Sequence, residues 1–457
     1  GMGIDVYVDL ISEKFKSKEK LIIPNVKALE MGYNYAKANL VNQCDIKVKK
    51  SNKNKGMILT NGNDASGLGC VYAGATVCAW YPITPSTSVA ESFIKYCEKL
   101  RVDNRTQKNK FAIVQAEDEL AAIGMVIGAN WNGARAFTAT SGPGISLMSE
   151  FLGLAYFAEV PTVLFDIQRG GPSTGMPTRT QQSDILCCAY ASHGDTKHII
   201  LIPSNPTECF EFSVMAFDLA DRLQTPIIIL SDLDIGMNDF TTKEFEWEDT
   251  HMFDRGKVLT KEDLDSMEKF GRYLDIDGDG IPYRTYPGTH SEKGAYFTRG
   301  SSHDEYAVYT EDGKVNARNL TRILKKHTNA AKLVPKPIIK SDNNSKGVIY
   351  FGGSDYSMIE ALDELSSDGI ILDSMRIRAF PFGKEVHDFM ENHDMIFVVE
   401  QNRDAQMKKL ILAEANVAPD KMISVLCFDG MPITAHFIST EISSYLAEKE
   451  VKEIMKK

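Results

Sequence analysis

Residues 111–140, FAIVQAEDELAAIGMVIGANWNGARAFTAT, carry the pattern that decides the fold of this chain. Two short apolar runs, 111–115 and 136–140, flank the amphipathic stretch from Glu119 to Trp131, which has the length of a crossover helix. The alternation continues in further apolar runs at residues 57–60, 161–167, 199–202 and 226–230. Buried strands that alternate with helices form a parallel sheet with helices on both faces. We therefore predict a doubly wound, parallel-sheet α/β domain over residues 57–240.

The rest of the chain divides into four segments. Residues 1–45 have helical spacing but are too short to form a core, so we expect a helical tail that docks on another surface. Residues 46–56 carry five lysines among Asn and Ser, which is typical of a linker. Residues 241–336 lack the alternation and predict an irregular excursion. In residues 337–457 the alternation resumes, which predicts a smaller second α/β domain with runs at 347–351, 370–372, 395–399 and 422–426 and a final helix at 440–456.

The composition is that of a folded globular protein, with 43% hydrophobic and 25% charged residues in a chain of 457. The 51 Lys and Arg residues against 62 Asp and Glu give a net charge of −11, which argues against a nucleic-acid partner. No apolar run approaches the roughly 18–20 residues that a membrane-spanning helix needs. We therefore expect a cytoplasmic protein with no membrane contact.

The cysteines and histidines lack the spacing of metal ligands. No C-x-x-C pair occurs among the eight cysteines, so we expect mostly buried thiols and no iron–sulfur cluster in this chain. The eight are Cys44, Cys70, Cys78, Cys97, Cys187, Cys188, Cys209 and Cys427. The nine histidines show no metal-binding pattern either. The segment Asp275-Ile-Asp-Gly-Asp-Gly280 resembles the start of a calcium loop, but Tyr286 stands where the bidentate Glu belongs. A turn cluster is therefore favoured over a bound metal.

A glycine-rich segment, Gly62 to Gly69, follows the run 57–60. Its spacing does not match the dinucleotide fingerprint, and no G-K-[ST] follows it. We predict a tight strand-to-helix turn here and no phosphate site.

The segment Tyr81-Pro-Ile-Thr-Pro-Ser-Thr-Ser88 holds a hydroxyl between two prolines. The prolines fix the backbone on both sides of Thr84, while Ser86 or Thr87 can cap the following helix. This pattern is compatible with a rigid capped loop, and it also suits recognition of a carboxylate or a carbonyl.

Acidic residues, a glycine turn and an arginine follow three of the predicted strands. Glu117 lies in Gln115-Ala-Glu-Asp-Glu119, at the start of a helix whose dipole favours one or two carboxylates there. Arg169 lies in the segment 168–179, QRGGPSTGMPTR, and the glycine turn TSGPG occupies residues 140–144. Open α/β sheets bind ligands at the carboxyl ends of their strands. We therefore expect a site at this edge, with Arg169 offering a planar fork to a carboxylate, although a surface charge would give the same pattern.

Four motifs in order, YPITPSTS, QAEDELAAIGM, TATSGPG and QRGGPSTGMPTRTQQSD, resemble the α subunit of the 2-oxoacid:ferredoxin oxidoreductases, most closely the 2-oxoglutarate type. The likeness runs from about Met57 to Met237, continues through DGDGIPYRTYPGTH and resumes from Gly347 to Gln406. The resemblance implies a thiamine-diphosphate pyrimidine-binding domain followed by a domain like the C-terminal one of transketolase. It also implies oxidative decarboxylation of a 2-oxoacid with coenzyme A to acyl-CoA and CO₂.

The same resemblance assigns the site residues. Glu117 matches the carboxylate that hydrogen-bonds the aminopyrimidine of thiamine diphosphate. Thr84 and Arg169 match the groups that contact the substrate, and Arg179 is a candidate for a second substrate carboxylate. The remaining matches to cofactor-binding positions are Pro82, Ile83, Ser141 and Gly142.

Partners are implied as well. In the family a separate β subunit supplies Mg²⁺, the diphosphate site and the iron–sulfur cluster that passes electrons to ferredoxin, so we expect a hetero-oligomer with an α–α contact. Fused members carry a γ domain ahead of the α part, whereas here Ile4 to Leu40 resembles only its tail. Since the chain starts Gly1-Met2, we expect that most of the γ domain is missing from this sequence.

Two alternatives remain open. A non-oxidative thiamine-dependent decarboxylase or a transketolase-like half would use the same carboxylate, but this chain lacks a diphosphate-binding GDG…N motif. A non-catalytic assembly or calcium-binding subunit is disfavoured by the retention of Glu117, Thr84 and Arg169.

Overall fold

The computed structural model describes residues 2–41, 48–49, 51–298, 300–415 and 417–454. Cys44, parts of the predicted linker 46–56 and the end of the predicted helix 440–456 lie outside the described residues. The chain forms two compact units, Gly1–Ile58 and Leu59–Lys457. Within the described residues, no helix is long and apolar enough to cross a membrane.

The first unit contains two helices, α1 (Ile4–Lys14) and α2 (Ile22–Asn39). Neither helix buries a residue, and Leu10, Ile23 and Met31 are each more than half exposed. The helical spacing read from the sequence is thus confirmed, and the segment has no core of its own.

The second unit contains most of the regular structure. Its strands, with β1 at the boundary between the units, are β1 (Met57–Thr60), β2 (Val77–Trp80), β3 (Ala112–Gln115), β4 (Ala136–Thr140), β5 (Thr162–Gln168), β6 (Ile199–Leu201), β7 (Pro226–Asp232), β8 (Phe240–Lys243), β9 (Ile338–Lys340), β10 (Lys346–Phe351), β11 (Asp373–Ile377), β12 (Ala379–Phe380), β13 (Met395–Glu400) and β14 (Met422–Leu426). Its α-helices are α3 (Gly62–Tyr72), α4 (Thr87–Leu100), α5 (Glu119–Trp131), α6 (Gly142–Phe157), α7 (Ile185–Ala189), α8 (Pro206–Leu223), α9 (Leu233–Met237), α10 (Lys261–Ser266), α11 (Gly313–Ala330), α12 (Asp355–Ser367), α13 (Lys384–Asn392), α14 (Gln406–Glu414) and α15 (Ala435–Ile454).

A seven-stranded sheet forms the centre of this unit, in the order β12-β6-β7-β5-β4-β2-β3. All neighbours pair in parallel except β12, which runs antiparallel to β6. Every residue of β4, β5 and β7 is buried, because helices cover both faces of the sheet. The predicted doubly wound α/β fold is confirmed.

A second sheet, in the order β14-β13-β10-β11-β9, is parallel apart from β9. The two sheets share a core, since Leu164 and Ile228 belong to the same hydrophobic cluster as Ile349 and Met375. The strand β12, which follows β11 in the chain, joins the first sheet through pairing with Ile200 and Leu201.

Three local predictions were wrong. The run Met57–Thr60 forms a strand, but it lies mostly exposed and outside the seven-stranded sheet. The run 370–372 ends just before the real strand β11, whose polar residues concealed it: Arg376 is buried in an ion pair with Glu208. The excursion 241–336 contains the long helix α11.

The glycine-rich segment after β1 is the helix α3. It begins where the Asn61 side chain accepts a hydrogen bond from the Asp64 amide at 2.8 Å. A Cβ at Gly69 would lie 2.6 Å from the Phe210 carbonyl oxygen on α8. The glycines therefore let α3 pack closely against neighbouring helices.

Candidate active site

The carboxyl ends of four adjacent strands carry the predicted site residues. In the sheet these strands lie side by side in the order β5, β4, β2, β3. Arg169 follows β5, Ser141 follows β4, Thr84 follows β2, and Glu117 follows β3. Because the strands are parallel, all four residues lie at the same edge, as predicted for a ligand site.

The loop around Thr84 is held by its own hydroxyls. The Thr87 side chain accepts a hydrogen bond from the Ile83 amide at 3.0 Å, and the Ser86 hydroxyl donates to the Ile83 carbonyl at 3.0 Å. Ser86 is the N-cap residue of α4, but its side chain makes no capping bond there. The Thr84–Pro85 peptide is cis, and Thr84 is exposed.

Arg169 ties this loop to the next one. Its Nη1 donates to the Thr84 carbonyl at 2.7 Å and its Nη2 donates to the Thr174 carbonyl at 3.0 Å. The side chain is almost buried, and its Nε has no hydrogen-bond partner among the described residues. Burial lowers the pKa of Arg169, while the nearby Asp184 carboxylate acts in the opposite direction. The guanidinium thus ties two loops together, and its buried Nε–H has no acceptor among the described residues.

A cleft of about 830 Å³ opens beside Arg169. It lies between this edge of the first sheet and the loops that follow β13 and β14 of the second. The residues that concern the site are Gly142, Arg169, Asp184, Cys187, Arg403 and Asp404. This volume is typical of a small-molecule site.

Two neighbouring carboxyl groups belong to this region: Asp184 lines the cleft, and Asp166 lies in β5. Asp166 is fully buried at the end of β5, and its Oδ2 accepts a hydrogen bond from the Cys188 thiol at 3.4 Å. Burial, followed by the neighbouring Asp184, raises the pKa of Asp166 well above its usual value. Burial also raises the pKa of Asp184, to about 6, while Arg169 acts to lower it. Both carboxyl groups therefore favour the protonated form more than a solvated aspartate does.

Glu117 and Ser141 present free polar atoms at the same edge. Glu117 is exposed, and its carboxylate has no hydrogen-bond partner among the described residues. Ser141 is fully buried, and its hydroxyl has no partner in the described part of the chain. Such atoms fit a heterocyclic cofactor that offers both donors and acceptors.

The other predicted residues lie around these. Pro82 is exposed and Ile83 is half-buried in the Thr84 loop, and Gly142 lines the cleft. Arg179 is exposed, donates to the Thr178 carbonyl at 3.1 Å and does not line the cleft.

The acidic loop at 275–280 carries its own cation. The Lys257 ammonium lies 2.6 Å from an Asp277 carboxylate oxygen and 2.9 Å from one of Asp279. Lys257 lowers the pKa of Asp277 through its hydrogen bond. Among the described residues, no group of His, Cys, Asp and Glu is arranged to hold a metal ion.

Sequence reasoning missed Asp184 and Arg403 as residues of the cleft. Asp184 is the last residue of the motif QRGGPSTGMPTRTQQSD, but its burial beside Arg169 has no signal in the spacing. Arg403 comes from the other side of the cleft, after β13. Only the three-dimensional arrangement brings it close.

Comparison with known proteins agrees with this geometry. The thiamine diphosphate-binding domain of the pyruvate flavodoxin/ferredoxin oxidoreductases matches residues 68–284. The fold and this match define an α/β protein with a thiamine-diphosphate-binding domain.

Relatives extend the match to the whole chain. The α subunit of 2-oxoacid:ferredoxin oxidoreductase 2 from Aeropyrum pernix is 31% identical, over 100% of this chain and 71% of the relative. The 2-oxoglutarate synthase subunit KorA from Methanothermobacter marburgensis is 34% identical over 75% of this chain and 87% of its own length. The chain belongs to the family of 2-oxoacid:ferredoxin oxidoreductase α subunits.

A solved structure shares the fold. The 2-oxoglutarate:ferredoxin oxidoreductase from Magnetococcus marinus, with 2-oxoglutarate, coenzyme A and succinyl-CoA bound, superposes with a TM-score of 0.85 at 29% identity. The match covers 96% of this chain and 73% of the other.

Proposed function

We propose that this chain is the α subunit of an enzyme that oxidatively decarboxylates a 2-oxoacid, with 2-oxoglutarate as the candidate substrate, and forms the acyl-CoA. Electrons pass to ferredoxin through a β subunit that supplies Mg²⁺, the diphosphate site and the iron–sulfur cluster. The designation of the relatives as α subunits supports a complex of several subunits. Coenzyme A and 2-oxoglutarate bound to the Magnetococcus marinus protein support the choice of substrates.

The observation that carries this proposal is the placement of Arg169. Its guanidinium is fixed by two backbone carbonyls, the residue lines a cleft of about 830 Å³, and its buried Nε has no partner among the described residues. A charge-assisted hydrogen bond from Arg169 orients the carboxylate of the substrate, and the exposed Thr84 hydroxyl donates to its carbonyl side. Arg179, on the same loop as Thr174, is the candidate partner of a second carboxylate.

Glu117 and Ser141 would hold the pyrimidine ring of thiamine diphosphate, together with backbone from Pro82, Ile83 and Gly142. The bound cofactor supplies a nucleophilic carbon and an electron sink for decarboxylation. The role of Glu117 is to accept a hydrogen bond from a ring nitrogen and so to control where a proton resides on the ring. Its exposure fits a cofactor that is covered by the β subunit.

We further propose five functional segments. Residues 57–240 form the pyrimidine-binding domain and residues 337–457 form the transketolase C-terminal-like domain. Residues 241–336 connect them, residues 1–45 are a helical tail of γ type, and residues 46–56 are a linker.

The test uses the complex of this chain with its β subunit. Reduction of a viologen dye should require a 2-oxoacid, coenzyme A and thiamine diphosphate together. Glu117→Gln should lower kcat by about 10²- to 10⁴-fold, because it removes a group that controls proton transfer. A panel of 2-oxoacids then identifies the substrate.

The neighbouring carboxylate provides a matched control. Asp118 caps α5 by accepting a hydrogen bond from the Ala121 amide at 2.7 Å, which is a structural role. Asp118→Asn should therefore retain activity. Full activity of Glu117→Gln would contradict the role of that residue, and release of aldehyde without coenzyme A would indicate a non-oxidative decarboxylase.

A further inference from the structure

Asp184 holds the N-cap position of a helix, but its side chain does not cap that helix. It is the N-cap residue of α7, yet its side chain makes no capping hydrogen bond. The Leu186 amide instead donates to the Gln406 side chain at 3.1 Å, so a residue from α14 takes over that role. The Asp184 carboxylate is thereby free to serve another partner.

The Asp184 carboxylate lies against Gly142, the first residue of α6. A Cβ at Gly142 would lie 2.7 Å from the Asp184 Oδ2, so only glycine leaves room for this carboxylate. That oxygen is buried and has no hydrogen-bond partner among the described residues. Arg169 is the cation whose charge acts on Asp184; the two side chains make no direct ion pair, but both residues line the same cleft.

Several other charged and titratable groups surround Asp184. Asp166 lies behind it, with the Cys188 and Cys187 thiols on α7. Burial, and then the neighbouring Asp184, raise the pKa of Asp166 well above its usual range. Across the cleft, Arg403 pairs with Asp404 at 2.8 Å and neutralises it.

We propose that Asp184 is a positioning residue that serves as the counter-ion of Arg169 when no substrate is bound, and that it takes up a proton when the substrate's carboxylate replaces it. This inference rests on the proposed function of Arg169. The substrate carboxylate stays ionised and pairs with the guanidinium. The proton comes from solvent and neutralises Asp184, so the charge beside Arg169 is the same before and after binding.

The consequence is measurable as proton linkage. A second negative charge close to a carboxylate raises its pKa by about one to three units. Since the pKa of Asp184 starts at about 6, binding at pH 7 should take up about half a proton to one proton per ligand. Affinity should fall as pH rises from 6 to 8, because the bound state holds more protons than the free state.

The experiment is calorimetric titration of the assembled, cofactor-loaded complex with glutarate, a dicarboxylate that cannot be decarboxylated. Titrations in PIPES and in Tris, which differ in ionisation enthalpy, give the number of protons taken up. We expect proton uptake by the wild type and none by Asp184→Asn. The affinity of the variant should be independent of pH and, at pH 8, at least equal to that of the wild type, because the amide imitates the protonated acid.

Asp404→Asn is the matched control, since it removes another cleft carboxylate and should leave proton uptake unchanged. Wild-type binding without proton uptake, or uptake retained in Asp184→Asn, would overturn the inference. A complex that binds no glutarate would overturn it too, because the cleft must accept a carboxylate. The proposed function has its own separate readout in 2-oxoacid-dependent dye reduction. If the Asp184 variant does not assemble, the wild-type titrations still test the inference, because binding without proton uptake would overturn it.

Discussion

Replacement of Glu159 by Gln should destabilise the second unit strongly. Glu159 is fully buried, and its carboxylate accepts hydrogen bonds from Lys326 at 2.7 Å and from Arg322 at 3.0 Å. Arg272 donates to the Glu159 backbone carbonyl at 2.8 Å. These cations hold the pKa of Glu159 at about 2 despite its burial. The change to Gln preserves the shape and leaves the buried cations without an anion.

The expected loss in the free energy of unfolding is about 3–5 kcal/mol, the usual cost of removing one partner from a buried ion pair. Burial already lowers the pKa of Lys326 to about 8, and loss of Glu159 should lower it further. The unfolded state then binds more protons than the folded state, so the stability of the variant rises with pH. Its deficit relative to the wild type should therefore shrink as the pH is raised from 6 towards 8.

Urea unfolding followed by tryptophan fluorescence measures this effect. The matched control is Glu305→Gln, since Glu305 pairs at 2.9 Å with Arg318, which is well exposed on the same helix as Lys326. That change should cost at most about 1 kcal/mol, as surface ion pairs do. The reasoning would be refuted if the free energy of unfolding of Glu159→Gln at pH 7 lay within about 1 kcal/mol of the wild-type value, with an unchanged m-value.

Two further predictions concern the site and the acidic loop. Arg169→Lys should lower kcat/KM for the 2-oxoacid about tenfold to a hundredfold in the dye-reduction assay, because a charge-assisted hydrogen bond of about 1.5–3 kcal/mol is lost; an unchanged value would contradict the placement of the substrate carboxylate. Millimolar calcium should leave the Tm of the wild type unchanged, because the Lys257 ammonium already pairs with Asp277 and Asp279; a rise in Tm would show that the loop binds calcium.

The fold could be predicted where burial and hydrophobicity coincide. The runs of β4, β5 and β7 are continuous and apolar, and they are fully buried. The strand β11 could not be predicted in the same way, because Asp373 and Arg376 look like surface residues. They are buried because each has a side-chain partner: His393 contacts Asp373, and Glu208, from a distant part of the chain, pairs with Arg376.

The same distinction applies to the site. Arg169 and Ser141 could be placed at one edge because each directly follows a strand, and parallel strands end together. The environment of Asp184 could not be predicted, because it depends on Gln406, more than 200 positions away, taking over the helix cap. Arg403 likewise reaches the cleft only through the packing of the second sheet on the first.

The pairing of β12 with β6 has a mechanical consequence for the cleft. A rotation of the second sheet away from the first would break the hydrogen bonds between β12 and β6 and divide the hydrophobic cluster that the two sheets share. The shared core and the β12–β6 pairing therefore fix the width of the cleft, and rigid-body opening of the two sheets is disfavoured.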